Sequence, residues 1–197
     1  MICIIRHGKT ALNNARIMQG RIDCPLNEEG TEQASVVARA LKDSGIAFSR
    51  VYSSPLTRAV QTAGIIAGGK DIITDERLME MDYGPYEGTD LNDLPPELVR
   101  FFGDFANEPA PEGMETLGSV KARMGSFLEE LRASPSEGNI LISTHAIAMK
   151  GALEYLTPDS RGAWWSRLVR NCDLYTFDIE EGRFTVPVRL PVSERED

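Results

Sequence analysis

The chain reads as an α/β protein, a three-layer sandwich with a mostly parallel central sheet and helices on both faces. Apolar strand-forming runs alternate with stretches of helical periodicity, the pattern of a parallel sheet whose crossovers are helices. Two of those runs, Ile2-Cys3-Ile4-Ile5 and Asn139-Ile140-Leu141-Ile142-Ser143, lead directly into Arg6-His7-Gly8 and Thr144-His145-Ala146, and these hold the only two histidines of the chain. Its 197 residues, 42% hydrophobic, suit one domain spanning 1–197 with a sizeable core.

After the first strand, Asn27 caps a helix in which Ala34, Val37, Ala38 and Leu41 recur at helical spacing, and Gly45 permits a left-handed stop. A second strand follows from Phe48 to Ser53. Ser54 reads as an N-cap and Pro55 as a first helical residue, with Leu56, Ala59, Val60, Ala63 and Ile66 on one face as far as Gly68-Gly69. Arg58 then falls in the first turn, at the partly positive helix end. Asp71 to Thr74 is a further short strand, and Leu117, Val120, Met124, Phe127, Leu128 and Leu131 mark a long amphipathic helix. Past His145 a helix turns Met149, Ala152, Leu153 and Leu156 inward. Cys172 to Ile179 and Arg183 to Val188, around Glu181-Gly182, read as a hairpin completing the sheet, and Ser193 to Asp197 as a loose polar end.

Several function classes are excluded by composition. A formal net charge of −9 repels nucleic acid and anionic membrane surfaces, so an anion site has to be a local basic cluster. The apolar runs fall short of the roughly 20 residues that span a bilayer, and the opening one lacks the basic flank of a secretory signal, so the expected compartment is the cytoplasm. Cys3, Cys24 and Cys172 are odd in number and lack metal-ligand spacing; they read as reduced structural thiols. Two histidines and scattered acids likewise make no metal cluster, so no metal is expected.

The histidines carry the chemistry. In an open α/β sheet ligands bind at the carboxyl ends of the strands, which makes His7 and His145 one site. A neutral imidazole attacks phosphorus without a separate base and leaves readily from the resulting phosphoramidate. Arg6 and Arg58 are the natural clamps, because a planar, permanently charged fork binds two phosphate oxygens together. Flanking cations also disfavour protonation of His7, and His145 across the phosphate donates to its oxygens.

Arg6-His7-Gly8-Lys9-Thr10 with Asn13, then Gln19-Gly20-Arg21-Ile22-Asp23-Cys24-Pro25-Leu26 and Gly30, resembles the opening of the histidine phosphatase superfamily, with its phosphoglycerate-mutase-like fold. Ser53 to Ala59 with Gln61-Thr62-Ala63 is similar to the second block of that family, Glu80-Met81-Asp82-Tyr83-Gly84 with Glu87-Gly88 to the third, and Ser143-Thr144-His145 to the fourth. The resemblance implies His7 as phosphorylated nucleophile, Arg6, Arg58 and His145 as phosphate pocket, and Glu80 as proton donor to the leaving oxygen. It also implies that Asn13 and the Gln19-Gly20 turn contact phosphate or the phosphohistidine loop, and it implies no cofactor. Without the family pattern Asp82 competes with Glu80 for the acid's place.

Three departures stand out: Lys9 replaces the more usual Glu or Gln, Ala146 a frequent Gly, and Glu112-Gly113-Met114-Glu115-Thr116 is a blurred Pro-Gly-Gly-Glu-Ser. Ala146 keeps its N–H for phosphate, and Lys9 adds a cation at the mouth. The stretch Thr89 to Gly113 carries six acids and one basic residue, Arg100, which repels a second phosphate. Phe101, Phe102 and Phe105 within it are read as core contacts before substrate wall. The expected activity is therefore hydrolysis of small phosphomonoesters. The alternatives are a phosphoglycerate mutase-type phosphotransferase, the α-ribazole phosphatase of cobalamin assembly, and a pocket that senses phosphate without turnover. The partner is a small phosphorylated metabolite; a homodimer stays open, with Trp164-Trp165 read as packing.

Overall fold

A computed structural model describes residues 1–105, 107–134 and 137–191. In chain order the elements are β1 (Ile2–Arg6), α1 (Ala11–Asn14), α2 (Glu28–Asp43), β2 (Phe48–Ser53), α3 (Thr57–Ala67), β3 (Ile73–Thr74), α4 (Pro96–Gly103), α5 (Leu117–Ala133), β4 (Asn139–Thr144), α6 (Ala146–Leu156), β5 (Leu174–Phe177), β6 (Ile179–Glu180), β7 (Arg183–Phe184) and β8 (Val188–Arg189).

The central sheet has the order β3-β2-β4-β1-β5-β8. β3, β2, β4 and β1 run parallel, and β5 joins β1 antiparallel. Its two faces meet different helices. Ile2 and Ile4 of β1 and Ile140 and Ile142 of β4 pack with Val120, Met124, Phe127 and Leu128 of α5 and with Ile147, Leu153 and Leu156 of α6. Cys3, Ile5 and Leu141 point the other way, onto Ala34, Val37 and Leu41 of α2 and Ala63 and Ile66 of α3. Strict alternation along strands buried on both sides is what sends a continuous apolar run to two cores. Each such Ile or Leu, fully buried, contributes about 1.5–3 kcal/mol. The histidine phosphatase resemblance thus named the right layers, and the sheet is α/β and mostly parallel as expected.

The caps agree with the sequence in part. Asn27 accepts from Gly30 N at 2.7 Å at the start of α2, and Gly45 past its end has φ +72°. The start of α3 is a correction: the helix begins at Thr57 with Leu56 as a cap that offers no side chain, and neither Ser54 nor Pro55 is helical. Asp23 supplies the missing acceptor from another loop, taking Thr57 N at 2.8 Å and Thr57 Oγ1 at 2.6 Å. Ser54 is freed for the site described below. The expected hairpin is also reshaped. Its turn at Glu181-Gly182 joins β6 to β7 as a separate two-stranded ribbon, and only β8 returns to extend the main sheet beyond β5. The strand expected from Asp71 shortens to the exposed pair Ile73–Thr74, and Ser193 to Asp197 lie outside the described residues.

Two elements come from tertiary contacts rather than from periodicity. α1 is a single turn capped by Thr10, and α4 sits inside the acidic stretch because Leu98 and Phe101 bury one face of it completely or nearly so. Phe102 and Phe105 are half-buried against the same core, and Trp164 and Trp165 are both buried in it. Among the described residues no helix is long and apolar enough to cross a membrane.

Candidate active site

β1 and β4 are neighbours in register from Ile2↔Ile140 to Arg6↔Thr144, so both histidines leave the sheet side by side. His7 N donates to Thr144 O at 2.9 Å, and the ring centroids of His7 and His145 stand 5.1 Å apart. Both rings are buried. His7 Nδ1 lies 2.7 Å from the Gly8 carbonyl, which can only accept. That contact assigns the proton to Nδ1 and leaves the lone pair on Nε2. Burial first, then the charges of Arg6 and Arg58, hold the His7 pKa well below its ordinary value, so the imidazole stays neutral.

The loop after His7 is held from several directions. Gly8 N donates to Thr62 Oγ1 at 3.0 Å, Lys9 N to Gln33 Oε1 at 3.0 Å, and Asn171 Nδ2 to His7 O at 3.0 Å. Backbone meets backbone where this loop crosses the start of α2: a Cβ on Gly8 would lie 2.4 Å from Gly30 O. Only glycine lets the chains approach so closely.

Arg58 is the second residue of α3 and has no exposed surface. Its Nη1 donates to Ile22 O and its Nη2 to Gly20 O, both at 2.8 Å. The loop that supplies these carbonyls is tied in turn by Glu87, whose carboxylate accepts from Arg21 N at 2.5 Å and Ile22 N at 2.8 Å. Gly20 has no space for a side chain there, since a Cβ would lie 2.4 Å from Glu87 Oε1. Arg6 is held by Nη1 to Val169 O at 2.7 Å.

His145 Nε2 sits 2.8 Å from Ser54 Oγ. That hydroxyl also accepts from Leu56 N at 3.3 Å, which leaves it one proton and one further lone pair to share with Nε2. Burial, then Arg58, His7 and Arg6, push the pKa of His145 well down, and it too is neutral. Among the described residues three buried side-chain polar atoms lack a partner: Arg6 Nε, Arg58 Nε and His145 Nδ1. Two unpartnered guanidinium nitrogens and one unpartnered imidazole nitrogen, gathered with His7, suit an anion, because buried polar atoms otherwise find partners.

Glu80 is buried at the N-terminus of α6. Its Oε1 accepts from Met81 N at 2.9 Å, Ile147 N at 3.1 Å and Ala148 N at 3.0 Å, while Oε2 has only Ile147 N at 3.2 Å. Oε2 is therefore the less engaged oxygen, and the carboxylate acts on both Arg6 and Arg58 electrostatically. Asp82 is excluded from this place: its Oδ1 closes a local turn with Gly84 N at 2.8 Å, and it is half-exposed.

The remaining expected residues divide. Gln19 Nε2 donates to Thr10 Oγ1 at 2.9 Å, which ties it to the loop after His7. Asn13 Oδ1 caps Thr10 N at 3.2 Å and accepts from Asn171 Nδ2 at 3.3 Å. Gly20 serves through its carbonyl to Arg58. Ala146 is the first residue of α6 and carries no positive φ, so its methyl brings no strain. Lys9 does not stand as a free cation at the mouth, because its Nζ binds both oxygens of Glu29 at 2.9 and 3.0 Å. Sequence reasoning missed Asn171, the use of Ser54 as partner of His145, and Lys150 on α6. Lys150 lies 5.4 Å from the centroid of the Phe105 ring, and burial lowers its pKa to about 8. Asn171 and Lys150 carry no local motif; Ser54 was visible only as a cap. Among the described residues no group of three His, Cys, Asp or Glu is arranged to hold a metal.

Comparison with known proteins gives the family and the fold. A model of the histidine phosphatase superfamily (branch 1) matches residues 2–189. A relative from Yersinia pestis (strain Pestoides F), named "Probable phosphoglycerate mutase GpmB", is 34% identical over 186 residues, which cover 91% of this chain and 85% of that protein. A phosphoserine phosphatase of Entamoeba histolytica, solved with phosphoserine, superposes with a TM-score of 0.81 at 26% identity, covering 95% of this chain and 93% of that one. A mycobacterial glucosyl-3-phosphoglycerate phosphatase in complex with VO3 gives 0.81 at 26% identity, covering 93% and 95%.

Proposed function

Because the chain belongs to the histidine phosphatase superfamily, branch 1, we propose that it hydrolyses small phosphomonoesters through a phosphohistidine on His7, without a cofactor. The observation that carries this reading is the neutral His7 whose proton is held on Nδ1 by Gly8 O, gathered with three unpartnered buried nitrogens, two of them on guanidiniums. The bound phosphate dianion disfavours the charged form of Glu80, which takes up a proton as substrate binds; Nε2 attacks phosphorus, the ester P–O bond breaks, and the leaving oxygen takes that proton. The Glu80 carboxylate then takes a proton from the water that attacks the phosphohistidine, and His7 leaves with inorganic phosphate formed. Arg6, Arg58 and His145 stabilise the charge on the phosphoryl oxygens in both steps.

Hydrolysis is favoured over phosphotransfer by the acidic stretch from Thr89 to Gly113, which repels a second phosphate group. Two of the related structures are named phosphatases. The mutase reading keeps the support of the 34% identical relative. On our reading the partner is a small phosphorylated metabolite in the cytoplasm, with neither nucleic acid nor membrane. The test is phosphate release from a panel of phosphomonoesters in EDTA, with 3-phosphoglycerate offered with and without its bisphosphate. Release is expected to survive the chelator and to vanish in His7→Ala, which also takes no label from a 32P-ester. Exchange between phosphoglycerates without release overturns the phosphatase reading in favour of the mutase.

A further inference from the structure

Glu80 stands in a stretch without helix or sheet, between the short 3-10 turns Glu76–Leu78 and Gly84–Tyr86. Its backbone therefore has no ladder to hold it, and side chains from elsewhere take that place. Arg123 of α5 reaches in with Nη1, which donates to Arg77 O and to Met79 O, both at 2.6 Å. Thr144 Oγ1 donates to Leu78 O at 2.7 Å, and Arg21 Nε to Glu80 O at 3.1 Å. Glu115, just before α5, closes the far end: its N donates to Asp82 O at 2.8 Å and its Oε2 accepts from Asp82 N at 3.2 Å.

Arg123 and Glu115 are themselves joined fork to fork, Nε to Oε1 at 2.8 Å and Nη2 to Oε2 at 3.0 Å. The pair is largely buried, with side chains 15% and 11% exposed. Every nitrogen of the guanidinium is thus engaged, part on the carboxylate and part on the carbonyls flanking Glu80. Burial alone would raise the pKa of Glu115; the hydrogen bonds and charge of Arg123 outweigh it and bring the pKa down, so the pair is ionised.

We propose that the Arg123–Glu115 pair is a positioning device for the acid: it sets the height of residues 77–82 against α6 and so places Glu80 Oε2 at the leaving oxygen. Neither residue touches the reacting atoms; both act through Glu80, and the proposal rests on the role given to Glu80 above. A lysine at 123 cannot replace the fork, because one ammonium cannot serve a carboxylate in two places and two carbonyls together. Glu115 is the second glutamate of the Glu112-Gly113-Met114-Glu115-Thr116 stretch.

A misplaced acid is recognised by the leaving group it fails. p-Nitrophenolate departs without a proton, whereas an alkoxide needs one in the transition state. The experiment compares kcat/KM, which reports the steps up to departure of the leaving group and not the shared hydrolysis of the phosphohistidine, for p-nitrophenyl phosphate and for an alkyl phosphate such as glycerol phosphate in wild type, Glu80→Gln, Arg123→Lys and Glu115→Gln, each checked for folding by its melting curve. We expect Arg123→Lys and Glu115→Gln to lose at least about tenfold more on the alkyl ester than on the nitrophenyl ester, part of the roughly 10²–10⁴-fold that a positioned acid supplies. Equal loss on both esters in these variants, with Glu80→Gln still discriminating, overturns the positioning role and leaves Glu80 as acid. Equal loss in Glu80→Gln overturns the acid assignment and the proposal with it. Glu115→Gln keeps the shape of the side chain and an acceptor for Asp82, so it decides the matter if Arg123→Lys does not fold.

Discussion

Replacing Arg58 by lysine separates two jobs that one guanidinium performs. Nη1 and Nη2 hold the carbonyls of Ile22 and Gly20, and Nε has no partner in the protein. Lysine retains the charge but has a single nitrogen. At least one carbonyl contact is lost, and a hydrogen bond to a charged group is worth about 1.5–3 kcal/mol. For a domain of this size that lowers the melting temperature by roughly 3–12 °C. The chemical loss is separate: a donor withdrawn from the phosphoryl oxygens costs about 2.7–4 kcal/mol, or roughly 10²–10³ in kcat. Glu87 still ties Arg21 N and Ile22 N, so the loop persists and the fold is not at risk. The assay is kcat and KM for p-nitrophenyl phosphate beside a calorimetric scan. A kcat within about fivefold of wild type, roughly 1 kcal/mol, would show that Arg58 braces the loop and does not clamp the phosphoryl group.

Two further outcomes follow from the same geometry. His7 and His145 both have depressed pKa values, from burial first and the arginines next, so below their ordinary value of 6.5 the unfolded chain binds more protons than the folded one. Stability is then level above about pH 6.5 and falls as the pH drops below it, by at most about 1.4 kcal/mol per unit for each histidine. Asp75 and Glu115 have lowered values and lose their contribution only in the carboxylate range, so urea midpoints between about pH 6.5 and 5.5 isolate the histidines; an unchanged midpoint there refutes their neutral burial. Gly8→Ala places a methyl 2.4 Å from Gly30 O, a backbone atom that cannot swing aside. We expect a cost of about 1–3 kcal/mol and a displaced His7 with most activity gone, and a variant with wild-type melting and turnover would contradict the close approach.

Much of the fold was legible because it rests on short-range signals. The runs Ile2 to Ile5 and Ile140 to Ile142 are continuously apolar and rich in isoleucine, which suits strands buried on both faces, and Asn27 and Gly45 mark the limits of α2 by local chemistry. Where signals were misleading, a longer-range contact had won. Ser54-Pro55 has the chemistry of a helix start, but His145 takes the Ser54 hydroxyl and Asp23 caps Thr57 in its place. α4 was hidden because its eight residues lie in an acidic stretch with an apolar face that has meaning only against the core. Lys9 looked like a free cation until Glu29, twenty residues on, was seen to bind it.

At the site the division is sharper. Residue type was enough to nominate His7, Arg6, Arg58 and His145, since imidazole and permanent cation are chemical identities that need no coordinates, whereas Glu80 was set apart from Asp82 only by the family resemblance. The protonation and aim of those groups were decided by tertiary contacts. Gly8 O selects the tautomer of His7, and Ser54 holds the ring of His145 through Nε2. Glu80 rather than Asp82 enters the pocket because the start of α6 presents N–H groups to it, while Asp82 turns back on Gly84. The sequence by itself determined the central strands β1, β2 and β4 and the histidines that follow β1 and β4, because propensity and chemistry are properties of single residues and near neighbours. Only the tertiary structure decided which nitrogen of His7 carries a proton, which carboxyl reaches the pocket and what holds it in place, because those depend on the positions of atoms that the chain brings together from far apart.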